Sequence, residues 1–137
     1  WASAVPAAQR DWLITKPARA IVEGVRKNGH NQPIIGFPKG IGEGLIRYAG
    51  ESGVDAIGLD HGVDPVWAGQ NLPAKMPVQG NLDPLCLLNA GTEMFRDIDH
   101  ILEAFHDRPH IFNLGHGITP PTPVENVQKM IDHIRNR

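Results

Sequence analysis

Cysteine is almost missing from this chain: Cys86 is the only one among 137 residues. One thiol can close no internal disulfide and cannot supply a cysteine-rich zinc site, so the core must hold the fold and a reducing, cytosolic setting is expected. An excess of either charge is missing too. Thirteen Lys and Arg against fifteen Asp and Glu leave a formal net charge of -2, and the basic residues are scattered, without the footprint of a nucleic-acid binder. No apolar run approaches the roughly 20 residues that cross a bilayer. Trp1 to Arg10 has neither the basic start nor the apolar centre of a signal peptide. Neither a membrane nor a nucleic acid is therefore expected as a partner. An initiator Met is lacking as well, and Trp1 to Pro6 reads as the continuation of something already begun, so a piece of a longer polypeptide is expected.

What is present is the composition of one globular domain, with 41% hydrophobic and 20% charged residues. Four short apolar runs stand out: Pro33 to Phe37, Ala56 to Asp60, Pro77 to Asn81 and His110 to Leu114. They have strand length and lack clean polar alternation, as parallel strands covered on both faces do. Between them lie stripes of helical period: Ala18, Ile21, Val22 and Val25; Met94, Ile98, Ile101, Leu102 and Phe105; Val127, Met130, Ile131 and Ile134. Each stripe predicts one buried helix face.

Helix starts are also written in the sequence. Asp64-Pro65 and Asp83-Pro84 place a capping carboxylate before a proline at the first helical position. Thr122-Pro123-Val124-Glu125 predicts a capping box with Thr122 at the N-cap. Gly40, Gly42 and Gly44 form a loop that opens a helix over Gly42 to Ser52. Repeated strand, loop and helix units without hairpin turns give an α/β fold of parallel strands. Either four strands form a small open sheet, or they are half of a (β/α)8 barrel.

In both architectures ligands collect at the carboxyl ends of the strands. The residues there are Lys39, Asp60 with His61, Asn81 with Asp83, and Asn113 with His116. His116 sits between Gly115 and Gly117, where backbone can approach a ligand and an imidazole can exchange hydrogen bonds near neutral pH. Lys39 precedes a glycine-rich loop that suits an anion, although a G-x-G-x-G run is more often only a turn. Asp60 and His61 are adjacent, so they point to opposite faces of a strand. Asp60 is better read as a brace for backbone N–H groups, and Asp83 as a helix cap. Cys86 falls in the first turns of a helix, where a buried structural thiol is expected. No spacing of ligands for a metal is visible.

Two longer stretches carry a resemblance. Phe112-Asn113-Leu114-Gly115-His116-Gly117-Ile118, with Pro120 to Val127 after it, resembles the C-terminal signature of the uroporphyrinogen decarboxylase family. Gln79-Gly80-Asn81-Leu82-Asp83-Pro84 resembles a second stretch of that family, as do Ile35 to Gly40 and Gly58-Leu59-Asp60 at two other strand ends. The resemblance implies a partial (β/α)8 TIM barrel, with residues 1–137 as the C-terminal half of a single barrel domain. It implies a cytoplasmic, homodimeric enzyme that removes the carboxyl groups of the four acetate side chains of uroporphyrinogen III without metal or organic cofactor, giving coproporphyrinogen III and CO2 in haem and porphyrin biosynthesis. His116 matches the family histidine that contacts the substrate, and is the one substrate-binding residue carried over. The family's pyrrole-binding aspartate, its arginines and its tyrosine have no counterpart here, so the chain alone is expected to be inactive.

Two alternatives stand beside this reading. A corrinoid-dependent methyltransferase of the same fold family would use zinc held by cysteine and histidine. A non-catalytic binding module would keep the barrel wall without its chemistry.

Overall fold

The computed structural model describes all 137 residues. Each apolar run contains one strand: β1 (Ile35–Gly36), β2 (Ala56–Gly58), β3 (Val78–Gln79) and β4 (His110–Ile111). All pairs are parallel, in the unbroken order β1-β2-β3-β4. A doubly wound sheet reverses its order at a switch point, whereas a barrel wall does not. The sheet is therefore the wall of a partial (β/α)8 barrel. The helices are α1 (Lys16–Lys27), α2 (Gly44–Glu51), α3 (Pro65–Asn71), α4 (Pro84–Asn89), α5 (Thr92–Ala104) and α6 (Val124–Arg135).

Register divides the sheet into two faces. Gly36, Ile57, Val78 and His110 stand side by side, and so do Gly58, Gln79 and Ile111. Registered partners in a parallel sheet point the same way. The first row meets the helices: Ile57 and Val78 are fully buried. Gly36 has no side chain because Tyr48 of α2 occupies that space, its hydroxyl 2.7 Å from where a Cβ would stand. The second row faces away from the helices, and Ile35, Phe37 and Ile111 remain 44%, 48% and 51% exposed.

The stripe on α5 behaves as its spacing predicts, with Met94, Ile98, Ile101 and Phe105 buried. The stripe on α1 does so only in part. Val22 is buried while Ile21 is 67% exposed, because the covered face is centred on Ala18, Val22 and Val25 and Ile21 lies past its edge. Helix α6 is only half covered. Its one buried residue is Asn126, whose amide donates to the carbonyls of Leu87 at 3.1 Å and Leu88 at 2.9 Å. Those carbonyls lie in the last turn of α4, where helical partners run out.

Two of the three expected caps form. Asp64 accepts from the Trp67 N–H at 2.7 Å and Asp83 from the Leu85 N–H at 2.8 Å. The capping box at Thr122 does not form. Pro123 takes the N-cap position of α6 without a side-chain bond, and the Thr122 hydroxyl pairs with that of Thr119 at 2.8 Å. A turn that also joins the Thr122 N–H to the Thr119 carbonyl draws the residue away from the helix start. Glu125 keeps its place in the first turn, beside the positive end of the helix.

Candidate functional site

A cavity of about 610 Å³ lies on the face of the sheet that the helices leave bare. Ile35 and Phe37 line it from β1 and its extension, Gly58 and Leu59 from the end of β2, Gln79 from β3, and Asn113, Leu114 and His116 to Ile118 from the segment after β4. The lining is largely apolar, with Gln79, Asn113 and His116 as its polar groups and no carboxylate among them. An aromatic and aliphatic floor with a few polar groups at its rim suits a flat organic ligand that carries polar substituents.

His116 is brought to this cavity by the segment following β4. Leu114 forms a bridge with Leu82, and the Gly115 N–H donates to the Leu82 carbonyl at 2.8 Å. Gly115 then passes so close to the backbone of His61 that a Cβ there would collide with the His61 nitrogen. Glycine at this position lets the loop cross the end of β2 and aim His116 at the cavity. The exposed His116 ring meets the Trp1 ring edge to face, with centroids 5.6 Å apart.

Lys39 stands outside the lining, one ring beyond His116. Its ammonium lies 3.7 Å from the centroid of the Trp1 ring, a cation–π contact. The loop that carries it is tied down by Asp60. One oxygen of that carboxylate accepts from the Gly40 N–H and the other from the Gly62 N–H, both at 2.9 Å. Asp60 is thus the backbone brace that its position suggests. His61 turns away to a small, separate cavity between the segments that follow β2 and β3 and helix α5, so it shares no site with Asp60. Asn81 is buried and also structural, since its amide donates to the carbonyls of Asp60 at 3.0 Å and Val63 at 2.7 Å. Asn113 lines the cavity while its side-chain oxygen accepts from the Leu114 N–H at 2.8 Å.

Two further titratable groups lie outside the cavity lining. His110 lies on the helix side of the sheet between Phe105 and Phe112, with ring centroids 4.8 and 6.0 Å away. Burial pushes its imidazole below the ordinary histidine range, against the pull of a hydrogen bond to the Gly80 carbonyl. The neutral ring donates from Nε2 to that carbonyl at 2.6 Å, fixing the end of β3. Cys86 on α4 is half-buried, and its thiol donates to Asp97 at 3.3 Å. Burial, followed by the Asp97 hydrogen bond and nearby carboxylates, pushes this thiol up to about 11. It stays protonated at neutral pH and lies outside the cavity lining.

Sequence reasoning reached His116 and Asn113 in the lining, with Lys39 nearby, but missed Phe37 and Gln79 in the lining and Trp1 beside His116. The two strand residues could have been found by period-two alternation from Ile35 and from Gly58's registered neighbour. Nothing local in the sequence joins Trp1 to His116, because they come from opposite ends of the chain.

Comparison with known proteins gives this geometry a relationship. The model of a family described as uroporphyrinogen decarboxylase (URO-D) matches residues 1–137. The chain is 52% identical over 133 residues to a uroporphyrinogen decarboxylase of Novosphingobium aromaticivorans, covering 97% of this chain and 39% of that protein. It is 51% identical to one from Sphingopyxis alaskensis, covering 98% and 40%, and 47% identical to one from Maricaulis maris, covering 100% and 40%. The chain thus spans about 40% of the length of the curated relatives it matches.

Proposed function

Because this chain belongs to the uroporphyrinogen decarboxylase family, we propose that it is the C-terminal part of one (β/α)8 barrel domain that decarboxylates uroporphyrinogen III. The product is coproporphyrinogen III, with the four acetate side chains left as methyl groups and four CO2 released. The observation that carries this reading is the family match along the whole chain, on a barrel wall whose cavity lies at the carboxyl ends of its strands. In the same reading the complete protein works in the cytoplasm as a homodimer, and no metal or organic cofactor takes part.

The chemistry follows from where electrons can go. A carboxylate leaves as CO2 only if the electron pair of the breaking C–C bond has a sink. Protonation of the adjacent pyrrole carbon supplies one, because the ring becomes a cation that accepts that pair. The exocyclic carbon then takes a proton and the ring gives one up, so each cycle converts a carboxylate and one proton to CO2 and a methyl group. The protein has to hold the macrocycle, deliver protons and balance charge in a site that excludes water. His116 donates a hydrogen bond to the macrocycle at the cavity rim, where Phe37, Ile35 and Ile118 offer an apolar floor for its flat faces.

The test is a comparison of two proteins supplied with uroporphyrinogen III under reducing conditions, with products oxidised to porphyrins and separated by chromatography. The 137-residue chain alone is expected to give no coproporphyrin. The same chain joined behind the preceding portion of the Novosphingobium relative is expected to give it, and His116→Ala in the joined protein is expected to reduce the yield at least about tenfold. Turnover by the chain alone, or none by the joined protein, would overturn the proposal.

A further inference from the structure

Beside the cavity, linked to its lining residue His116 through Trp1, stands a cation that makes no ion pair. Lys39 makes no ion pair, although ten other pairs cross the surface of the molecule. Its contact is the Trp1 ring at 3.7 Å. That ring meets His116 with centroids 5.6 Å apart, so Lys39, Trp1 and His116 form one row that ends at the cavity lining with His116, drawn from three distant parts of the chain.

The row is held in place from both ends. Ala2, next to Trp1, is buried in the core. Gly40, next to Lys39, has a φ of +75°, and a Cβ on it would stand 2.7 Å from the Cβ of Ser3. A residue with a side chain would thus be strained there and would push the first turn away. The Asp60 brace on the Gly40 N–H fixes the other side of the loop. Lys39 therefore has a defined base and a charged tip that rests on the Trp1 ring.

A cation over an exposed ring is held more weakly than one hydrogen-bonded to a carboxylate. The ring keeps the ammonium beside the cavity, and a carboxylate arriving beside His116 would capture it. We propose that Lys39 is a carboxylate-binding residue of this cavity, with Trp1 as the rest on which its ammonium waits. This rests on the function proposed above, whose substrate carries eight carboxylates. Lys39 grips one that is not reacting, orienting the macrocycle and selecting for polyanionic rings.

The experiment uses the joined protein and reads both turnover and binding of uroporphyrin, the oxidised and unreactive ring, by fluorescence. Lys39→Met is expected to raise KM and the uroporphyrin Kd by at least about fivefold while kcat falls less than about twofold. Lys39→Arg is expected to recover most of the loss, and the methionine variant should show a shallower dependence of kcat/KM on salt. Lys39→Gln repeats the measurement if the methionine variant does not fold. Unchanged KM and Kd in an active protein that still responds to His116→Ala would overturn the role of Lys39 and leave the function standing. A fall in kcat alone would also overturn it. Absence of turnover in the parent joined protein would instead overturn the function, while the uroporphyrin titration would still report on Lys39.

Discussion

The two faces of the same four strands have opposite fates. On the helix side Ile57 and Val78 are fully buried in the core, while on the other side Ile35, Phe37 and Ile111 are about half exposed. The side chains named on both faces are apolar, so hydrophobicity alone does not decide burial. What decides it is the winding of the chain, because right-handed crossovers that always step in one direction deliver every helix to one side. The bare face is left for a ligand and for whatever closes a barrel.

The strongest test of that contrast is a pair of truncations. Ile98→Ala removes a fully buried side chain of α5 and should cost about 2–5 kcal/mol in urea unfolding. Ile111→Ala, on the bare face, should cost less than about 1 kcal/mol in this chain. In the joined protein the second value should rise toward the first. Equal values for Ile111→Ala in both proteins would break the comparison, since the bare face would then not be a barrel interior.

A second pair asks whether the two faces differ in freedom as well as in burial. Gly36→Ala sets a methyl group against the buried Tyr48, 2.7 Å from its hydroxyl and 2.8 Å from its ring. With no space to yield into, it should cost about 1–3 kcal/mol. Gly58→Ala meets Phe37 at 2.9 Å, but that ring borders the cavity and can swing aside. Its cost should be less than about half of the first. The same denaturation curves decide both.

The smallest effects separate a formed cap from an unformed one. Asp64→Ala removes the bond to the Trp67 N–H and should cost about 1 kcal/mol. Thr122→Ala removes only a hydroxyl pair with Thr119 and should stay within about 0.5 kcal/mol. A loss at Thr122 as large as at Asp64 would revive the capping box.

These contrasts also mark what could be read from the sequence. The α5 stripe was legible because Met94, Ile98, Ile101 and Phe105 repeat at a period only a helix uses. The bracing role of Asp60 was legible because a carboxylate just past a strand, between two glycine-containing loops, has backbone N–H groups within reach. Thr122 misled because a second acceptor, Thr119, lies three residues away, and local pattern does not rank competing partners. Ile34 and Ile35 are identical residues side by side, so their different exposures follow only from strand order. The same is true of the site. His116 stood out from its flanking glycines, whereas the pairing of Trp1 with both Lys39 and His116 needs the folded wall to exist.

Strand order has a consequence for how such a wall is made. Each strand pairs with the one just before it in the sequence, β1 with β2, β2 with β3 and β3 with β4. Every ladder therefore closes across one short crossover, and the entropy lost in closing a loop grows slowly with length and stays small here. Pairing between strands adjacent in sequence keeps the contact order below that of a sheet whose strands pair across larger separations. Assembly can proceed by accretion, each strand leaving the ribosome to find its docking edge already laid down by its predecessor.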